Sequence, residues 1–359
     1  MPRYYLAVIK SLAPVLIRRR NAPQGTEGFE HYIPGSSLAA AFARALGLRG
    51  GYELVAKGFS VSHAYPVQRV GNRWLPSMPA PSVSLRIKNI GVELDPSVVT
   101  CPGADAVRAR SAMQSYWESV LGFPVTGLVK EVRLGTPLVV TQTRSVALDG
   151  IVCHSAVLAD VEAGVARDSV AVNPYRGTAE REMLFTYFAL PEGTVFWVTL
   201  SLPDDVEAPV EEPFVLWIGG ARSRGYGRAV AVITEYALQG VSGSCEKLYL
   251  WSHAVPRHPA RARAELPPGW SRATGPRMAV PTLPPGAIVH ASMLLGAEQG
   301  ACDAARLRFW GALPPTGHVE PIDPPSLPRS YGDALRIVEQ LMHKLQDFPL
   351  SPLEASNTG

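Results

Sequence analysis

The segment 214–233 constrains the fold most, because it places a bend rich in glycine and arginine between two apolar runs. The first run, FVLWI at 214–218, ends at Gly219 and Gly220, and an alternating apolar run starts directly after Arg228. Four glycines within nine residues permit positive φ angles and a close approach of the backbone to another group. The pattern predicts a tight bend, the Gly/Arg loop (residues 219–228), that leads into a β-strand.

The Gly/Arg loop carries donors that suit a phosphodiester backbone. Consecutive N–H groups in such a bend can line an anion-binding concavity, guanidiniums add forked donors, and an aromatic ring offers a face for a base. A solvated turn is the alternative. The loop matches neither G-x-G-x-x-G nor G-x-x-x-x-G-K-[ST], which excludes a dinucleotide fingerprint and a P-loop. The residues predicted to bind a phosphodiester backbone here are Gly219, Gly220, Arg222, Ser223, Arg224, Gly225, Tyr226, Gly227 and Arg228.

Composition allows two domains and limits what the overall charge can show. The chain has 359 residues, of which 47% are hydrophobic and 18% charged, as in ordinary globular proteins. Its formal net charge of +3 is too small to indicate a nucleic-acid partner by itself. A basic surface therefore has to be local.

The four cysteines, Cys101, Cys153, Cys245 and Cys302, form no C-x-x-C pair, so a zinc ribbon is not supported. We expect four buried thiols in a reducing compartment. No signal-peptide-like segment opens the chain, because Lys10 and an arginine triplet interrupt it, and no apolar run approaches the length of a bilayer span. The expected location is the cytoplasm, with no membrane partner.

A second informative stretch, IPGSSLAAAFARAL at 33–46, predicts a helix. Ser36 or Ser37 is expected to cap its N-terminus, and Gly47 to end it. Apolar residues recur on one helical face. A helix start capped by serine is also a site where anions bind, so both serines are candidate residues for contact with a phosphate backbone.

Together, IPGSS before a helix of small residues and GGARSRGYGR before a later strand resemble the CRISPR-associated RAMP superfamily. Within it, the order of the pieces is most similar to the Csx-ten-like group of type III-D effector complexes, which is akin to the five-group proteins that hold the 5′ tag of the guide. The family helix usually reads PGSS-Leu-[Lys/Arg]-Gly, whereas this chain has Ala39 and Ala40 in the last two places. That departure removes a cation beside the helix start.

The resemblance implies an α+β fold of two ferredoxin-like (RRM-type) domains, at residues 1–237 and 238–359. The second unit is expected to be degenerate, with proline-rich loops and a C-terminal helix near 331–345. The first is expected to carry an insertion at about 49–173, which acts in the family as a thumb. Its core elements are placed, in chain order, at 4–9, 37–46 (helix), 183–190, 194–200, 210–218 (helix) and 228–236.

The resemblance also implies a non-catalytic subunit that binds CRISPR RNA. It would hold the 5′ tag end of that RNA, dock the large polymerase-domain subunit and the backbone RAMP subunits, and meet target RNA indirectly, without cofactor or metal. Tyr65, Arg69 and Trp74 of the insertion are expected to grip the strand. Two alternatives stay open: a metal-independent endoribonuclease with His31, or next His63, as general base, and a backbone RAMP subunit along the guide.

Overall fold

The computed structural model describes residues 3–17, 26–27, 31–49, 53–54, 57–88, 91, 96–148, 150–159, 165–172, 179–220, 222–235, 246–258, 264–266, 270–271, 275–276, 280–294, 319–322 and 326–346. Its helices are α1 (Gly35–Ala45), α2 (Ala106–Leu121) and α3 (Arg329–Gln346), with 3₁₀ turns at Arg222–Arg224 and Ala291–Met293. Its strands are β1 (Arg3–Ser11), β2 (Thr26–Glu27), β3 (Ser60–Val61), β4 (Tyr65–Val70), β5 (Arg73–Pro76), β6 (Met78–Pro79), β7 (Ser84–Ile87), β8 (Val98–Thr100), β9 (Val129–Glu131), β10 (Pro137–Leu148), β11 (Ile151–Leu158), β12 (Val165–Val172), β13 (Ala179–Ala189), β14 (Val195–Leu202), β15 (Phe214–Trp217), β16 (Arg228–Glu235), β17 (Lys247–Leu250), β18 (Ala264–Leu266), β19 (Trp270–Ser271), β20 (Gly275–Pro276), β21 (Val280–Thr282), β22 (Ile288–His290) and β23 (Val319–Pro321).

The central sheet has the strand order β15–β16–β1–β14–β4–β5, and the short strand β3 also pairs with β14. Its register places Val8 of β1 opposite Trp197 of β14 and Val232 of β16, in antiparallel pairs. The middle of β1 is buried on both faces, which explains why its sequence is nearly continuous in apolar residues. The predicted strands 4–9, 194–200 and 228–236 are therefore neighbours, in the antiparallel order compatible with a ferredoxin-like sheet.

One helix covers each face of the central sheet. On the first face, Leu38 and Phe42 of α1 share a core with Ala7 and Ile9 of β1, and the ring of Phe42 lies 6.2 Å from that of Phe214. On the second face, α3 shares a core with the alternate residues of β1, β14 and β16. Because successive strand residues point to opposite faces, both helices depend on the same strands. The predicted C-terminal helix is confirmed.

The strand predicted at 183–190 forms, but it does not join the central sheet. Residues 179–189 are β13, which pairs with β12 and, in parallel, with β2. β3 and β4 take the place beside β14 instead. Between β13 and β14, the N–H of Leu190 donates to the carbonyl of Val15 at 2.9 Å, just beyond the end of β1.

The helix predicted at 210–218 is wrong, because residues 214–217 are the edge strand β15. Its burial alternates, with Leu216 buried and its two neighbours Val215 and Trp217 exposed, which is the period of a strand. Pro213 lies just before it, and Glu211 adopts a positive φ of 64°, which is incompatible with a continuing helix. Pairing with β16 thus outweighs helical propensity.

The predicted insertion at 49–173 lies only partly outside the central sheet, because its strands β3, β4 and β5 belong to that sheet. The strands β6 to β11 form a second sheet of order β6–β10–β11–β8–β7–β9, whereas β12 pairs with β13 in a third sheet. Helix α2 packs on that sheet: Asp105 caps its N-terminus, and buried Trp117 donates its ring N–H to the carbonyl of Pro96 at 3.0 Å.

Cys101 and Cys153 are joined by a disulfide, so the predicted set of four free thiols is wrong for this pair. The register pairs Thr100 with His154, which places the two cysteines opposite each other on β11 and the end of β8. Sequence spacing could not reveal this, because β8 and β11 meet only in the folded sheet. Cys245 and Cys302 lie outside the described residues.

The described part of 238–359 contains the sheet β22–β17–β23, two two-stranded ribbons and α3. Since α3 packs on the central sheet, this part shares a core with residues 1–237. A separate second ferredoxin-like domain stays a prediction. Among the described residues, none of the helices combines the length and hydropathy that crossing a membrane requires.

Candidate nucleic-acid interface

Two glycines of the Gly/Arg loop hold it against the chain that follows β1. Gly219 has φ +75°, and a Cβ there would lie 2.3 Å from the carbonyl oxygen of Leu16. Gly227 has φ +82°, and its Cβ would lie 2.0 Å from the carbonyl oxygen of Ile218. Both positions therefore need glycine for conformation and for space.

Three glycine amides of the loop donate to protein carbonyls, which corrects the prediction that these amides line an anion-binding concavity. The N–H of Gly220 donates to Leu16 O at 3.1 Å, and that of Gly227 to Pro14 O at 2.9 Å. The N–H of Gly225 donates to Arg222 O at 3.1 Å, which closes the 3₁₀ turn. These glycines thus shape and anchor the loop, and the side chains are left to meet a ligand.

The arginines of the loop are presented to solvent. Arg224 and Ser223 are exposed, whereas Arg222 and Arg228 are half-buried. The Nε of Arg222 donates to the carbonyl of Gly219 at 3.2 Å, which holds the side chain across the turn. An anchored guanidinium loses less side-chain entropy when it binds an anion than a free one.

Tyr226 does not offer the stacking face predicted for it. Its side chain is only 8% exposed and packs with Leu16 and Ala189. Because the loop folds back on residues 14–17, its one aromatic ring turns inward and becomes part of the anchor. Its sequence position among polar residues had suggested the opposite.

The register of the central sheet brings cations from distant segments to one end. Lys10 of β1 pairs with Val195 at the start of β14 and with Val230 near the start of β16. The hairpin β4–β5 extends past the same end, since Pro66 already pairs with Phe196. This basic end, which also has Glu192 in a nearby turn, consists of Lys10, Arg69, Arg73, Arg222, Arg224 and Arg228.

The opposite end of the sheet is predominantly acidic. Exposed carboxylates follow β14 and end β16, and the cations there are already engaged: Arg3 donates to the carbonyls of residues 204 and 206, and Lys57 pairs with Asp205 at 2.9 Å. The acidic residues are Asp204, Asp205, Glu207 and Glu235. Such a polarity directs a polyanion to the basic end.

Of the three predicted thumb residues, the structure leaves Arg69 exposed at the basic end. Trp74, paired with Arg69, is half-buried and packs on the core beneath α3. Tyr65 is buried, and its hydroxyl donates to the carbonyl of Trp251 at 2.6 Å, so its predicted contact with RNA is wrong. Arg73 on the same hairpin was missed, although the Gly71–Asn72 turn beside it signals an exposed tip.

The predicted serine cap of α1 is wrong, because Pro34 is the N-cap residue and no side chain caps the helix. Ser36 and Ser37 lie in the first turn, and the first N–H, that of Gly35, donates to Nδ1 of His63 at 2.9 Å. A Cβ on Gly35 would lie 2.5 Å from the carbonyl oxygen of Val61. This contact seats the helix start opposite Leu200, roughly 16 Å along β14 from the basic end.

His63 is a structural residue of the interior and is not placed as a general base. Its ring stacks on Tyr32 at 4.9 Å, lies 5.6 Å from that of His253, and leaves Nε2 buried without a hydrogen-bond partner. Burial, with a smaller effect of His253, lowers the pKa of His63 well below its usual value. Burial also lowers the pKa of His253 to about 4.

We expect stability to fall as the pH drops from about 6.5 toward 4. Unfolded histidine binds a proton below about 6.5, whereas these two buried rings stay neutral, so acid favours the unfolded chain. In His253→Gln, the free energy of unfolding should fall by about 2 kcal/mol less than in the wild type when the pH drops from 7.5 to 5. Urea unfolding at both pH values measures this, with exposed His258→Gln as the matched control. An unchanged pH dependence in His253→Gln would contradict the assignment.

Neither a family model nor a curated protein sequence matches the chain. Among solved structures, it is similar to a chain of the Type III-B Cmr-beta complex bound to cognate target RNA, with 10% identity and a TM-score of 0.44 over 80% of this chain and 86% of that one. Pyrococcus furiosus Cmr4 (Cas7) is similar with 14% identity and a TM-score of 0.23 over 65% of this chain and 100% of that one. A chain of the Type IV-B CRISPR complex is similar with 15% identity and a TM-score of 0.25 over 66% of this chain and 92% of that one. At these values the likeness assigns the chain to no family.

Proposed function

We propose that this protein is a non-catalytic RNA-binding subunit of a CRISPR effector complex, and that the basic end holds the sugar–phosphate backbone of the guide RNA. The observation that carries the proposal is the polarity of the central sheet: six cationic side chains from three separate segments meet at one end, and carboxylates predominate at the other. The class of complex comes from the resemblance of the PGSS helix and the Gly/Arg loop to the RAMP superfamily.

The basic end suits a single strand laid across the strand ends. Going from β15 to β4 takes four strand spacings, about 19 Å, so the cations span several nucleotides. Guanidiniums bind phosphate oxygens with paired donors, and Arg228 starts a strand whose residues 229–233 are buried. Such contacts neutralise charge and position the RNA without reading its bases.

The finer role follows from the resemblance. The subunit would belong to a type III complex and cap the 5′ tag of the guide. It would dock the large polymerase-domain subunit and the backbone RAMP subunits, and meet target RNA only indirectly. It would break no bond. Incubation with repeat RNA in chelator should leave the RNA intact, and cleavage would contradict the non-catalytic role.

The direct test is the double variant Arg222→Ala/Arg224→Ala. We expect affinity for a tagged single-stranded RNA to fall roughly tenfold at 100 mM salt, because two phosphate contacts are lost. The slope of log K against log salt should become shallower by about 1.4, at about 0.7 per contact for single strands. Fluorescence anisotropy at several salt concentrations measures both quantities.

The matched control is Arg44→Ala/Arg86→Ala, which removes the same charge from exposed positions in α1 and β7. Affinity and slope should stay near the wild-type values there, since neither residue lies at the basic end. Equal losses in the two double variants would show that overall charge, and not this site, governs binding. Unchanged binding in Arg222→Ala/Arg224→Ala would overturn the proposal.

A further inference from the structure

Trp217, the last residue of the edge strand β15, is unusually exposed for its size. Its side chain is 37% exposed, although the preceding residue, Leu216, is fully buried. Alternation along the strand explains the contrast, since Leu216 points to the α1 face and Trp217 to the α3 face. Helix α3 leaves this ring uncovered: its last turn is tied by Lys344 to Glu211, ahead of β15.

The surroundings of Trp217 are cationic. Its partner across the strand pair is Arg228, and partners in an antiparallel pair share a face. Two residues after Trp217 the Gly/Arg loop begins, with Arg222 held across its turn. Among the described strands, none pairs with the outer edge of β15, and Trp217 at the end of this edge strand is 37% exposed.

We propose that Trp217 is a stacking platform for one nucleobase of the strand whose phosphates the loop arginines contact, an inference that rests on the proposed function. An exposed indole beside guanidiniums matches the two parts of a nucleotide, a planar base and an anionic phosphate. Tyr226, which the sequence favoured for this role, is buried. Trp217 is thus the exposed aromatic ring nearest to the loop in sequence.

The charge around Trp217 favours RNA over a protein partner. An apolar protein surface placed here would bury Arg228 and its neighbours without compensating anions, which is costly. A nucleotide supplies the anion together with the planar group. Stacking accepts any base, so the platform adds affinity without sequence preference.

The test compares Trp217→Ala, Trp217→Phe and Val215→Ala for binding of a labelled ten-nucleotide oligoadenylate. We expect Trp217→Ala to weaken affinity about tenfold and Trp217→Phe to recover most of it. The salt slope should stay at its wild-type value in both, because stacking releases no counterions. Val215→Ala removes an equally exposed side chain from the same face of β15 and should bind normally.

A second readout isolates the base. A set of the same oligonucleotides is made in which each position in turn lacks its base. Loss of the base at one position should weaken binding to the wild type and leave binding to Trp217→Ala unchanged. If Trp217→Ala binds every oligonucleotide like the wild type, Trp217 does not stack on a base, and the inference is overturned. The result for the Arg222→Ala/Arg224→Ala variant is independent of this outcome. If Trp217→Ala binds RNA normally but fails to assemble with other complex subunits, the patch docks protein, which also overturns the inference. A wild-type chain without salt-dependent RNA binding would refute the proposed function itself.

Discussion

Gly227→Ala is expected to lower the free energy of unfolding by about 3–5 kcal/mol. Its φ of +82° alone costs an L-residue about 1–2 kcal/mol. The new Cβ would also lie 2.0 Å from the carbonyl oxygen of Ile218, so backbone has to move. That movement breaks the bond from Ile218 N–H to Gly227 O, 2.7 Å long, and loosens Pro14 from the loop.

Gly225→Ala is the matched control, because it carries the cost of a positive φ without the steric clash of the new Cβ. Gly225 has φ +85° in the same loop, but a Cβ there meets nothing within 4 Å. The cost should be only about 1–2 kcal/mol. Urea unfolding of the two variants measures the difference, and RNA affinity should fall in Gly227→Ala because the arginines lose their anchored loop. Equal destabilisation of both variants would refute the account of the clash.

Removing the disulfide is the second change with a large expected effect. The double variant Cys101→Ser/Cys153→Ser should lose about 4 kcal/mol, since the bond closes a loop across a sequence separation of 52 residues. Both sulfurs also belong to the core that packs against Trp117 of α2. The second sheet and α2 should therefore be destabilised more than the central sheet.

Urea unfolding with and without reductant measures this effect. Reductant should destabilise the wild type and leave the double variant unchanged, and a non-reducing peptide map should recover the two cysteine peptides joined. Ser111→Ala, on the surface of α2, is the control: it keeps the disulfide, so its stability and its response to reductant should match those of the wild type. Free thiols at both positions in the native protein would contradict the pairing.

Local pattern was sufficient for much of the framework. The continuous apolar run of β1, the alternation after Arg228 and the 3.6-residue period of α1 and α3 each predict their own element. Each of these elements buries a face whose spacing is visible in the sequence. The Gly/Arg loop was also predicted from local sequence, since glycines such as Gly219 and Gly227 permit positive φ angles.

Pairing between distant strands decided the rest. Residues 183–190 have the pattern of a strand wherever they pair, and only the pairing of β13 with β12 and β2 places them outside the central sheet. The disulfide likewise depends on the meeting of β8 and β11. Residues 214–218 are apolar enough for a helix or a strand, and contact with β16 selects the strand.

The site shows the same division. The residue types were determined by the sequence alone: arginines that suit phosphate, glycines that permit a tight loop, and aromatic rings nearby. Which ring faces solvent was decided by packing, because the loop folds onto Leu16, buries Tyr226 and leaves Trp217 exposed. The gathering of Lys10, Arg69 and the loop arginines at one end is likewise a tertiary property, since strand register brings together charges that lie far apart in sequence.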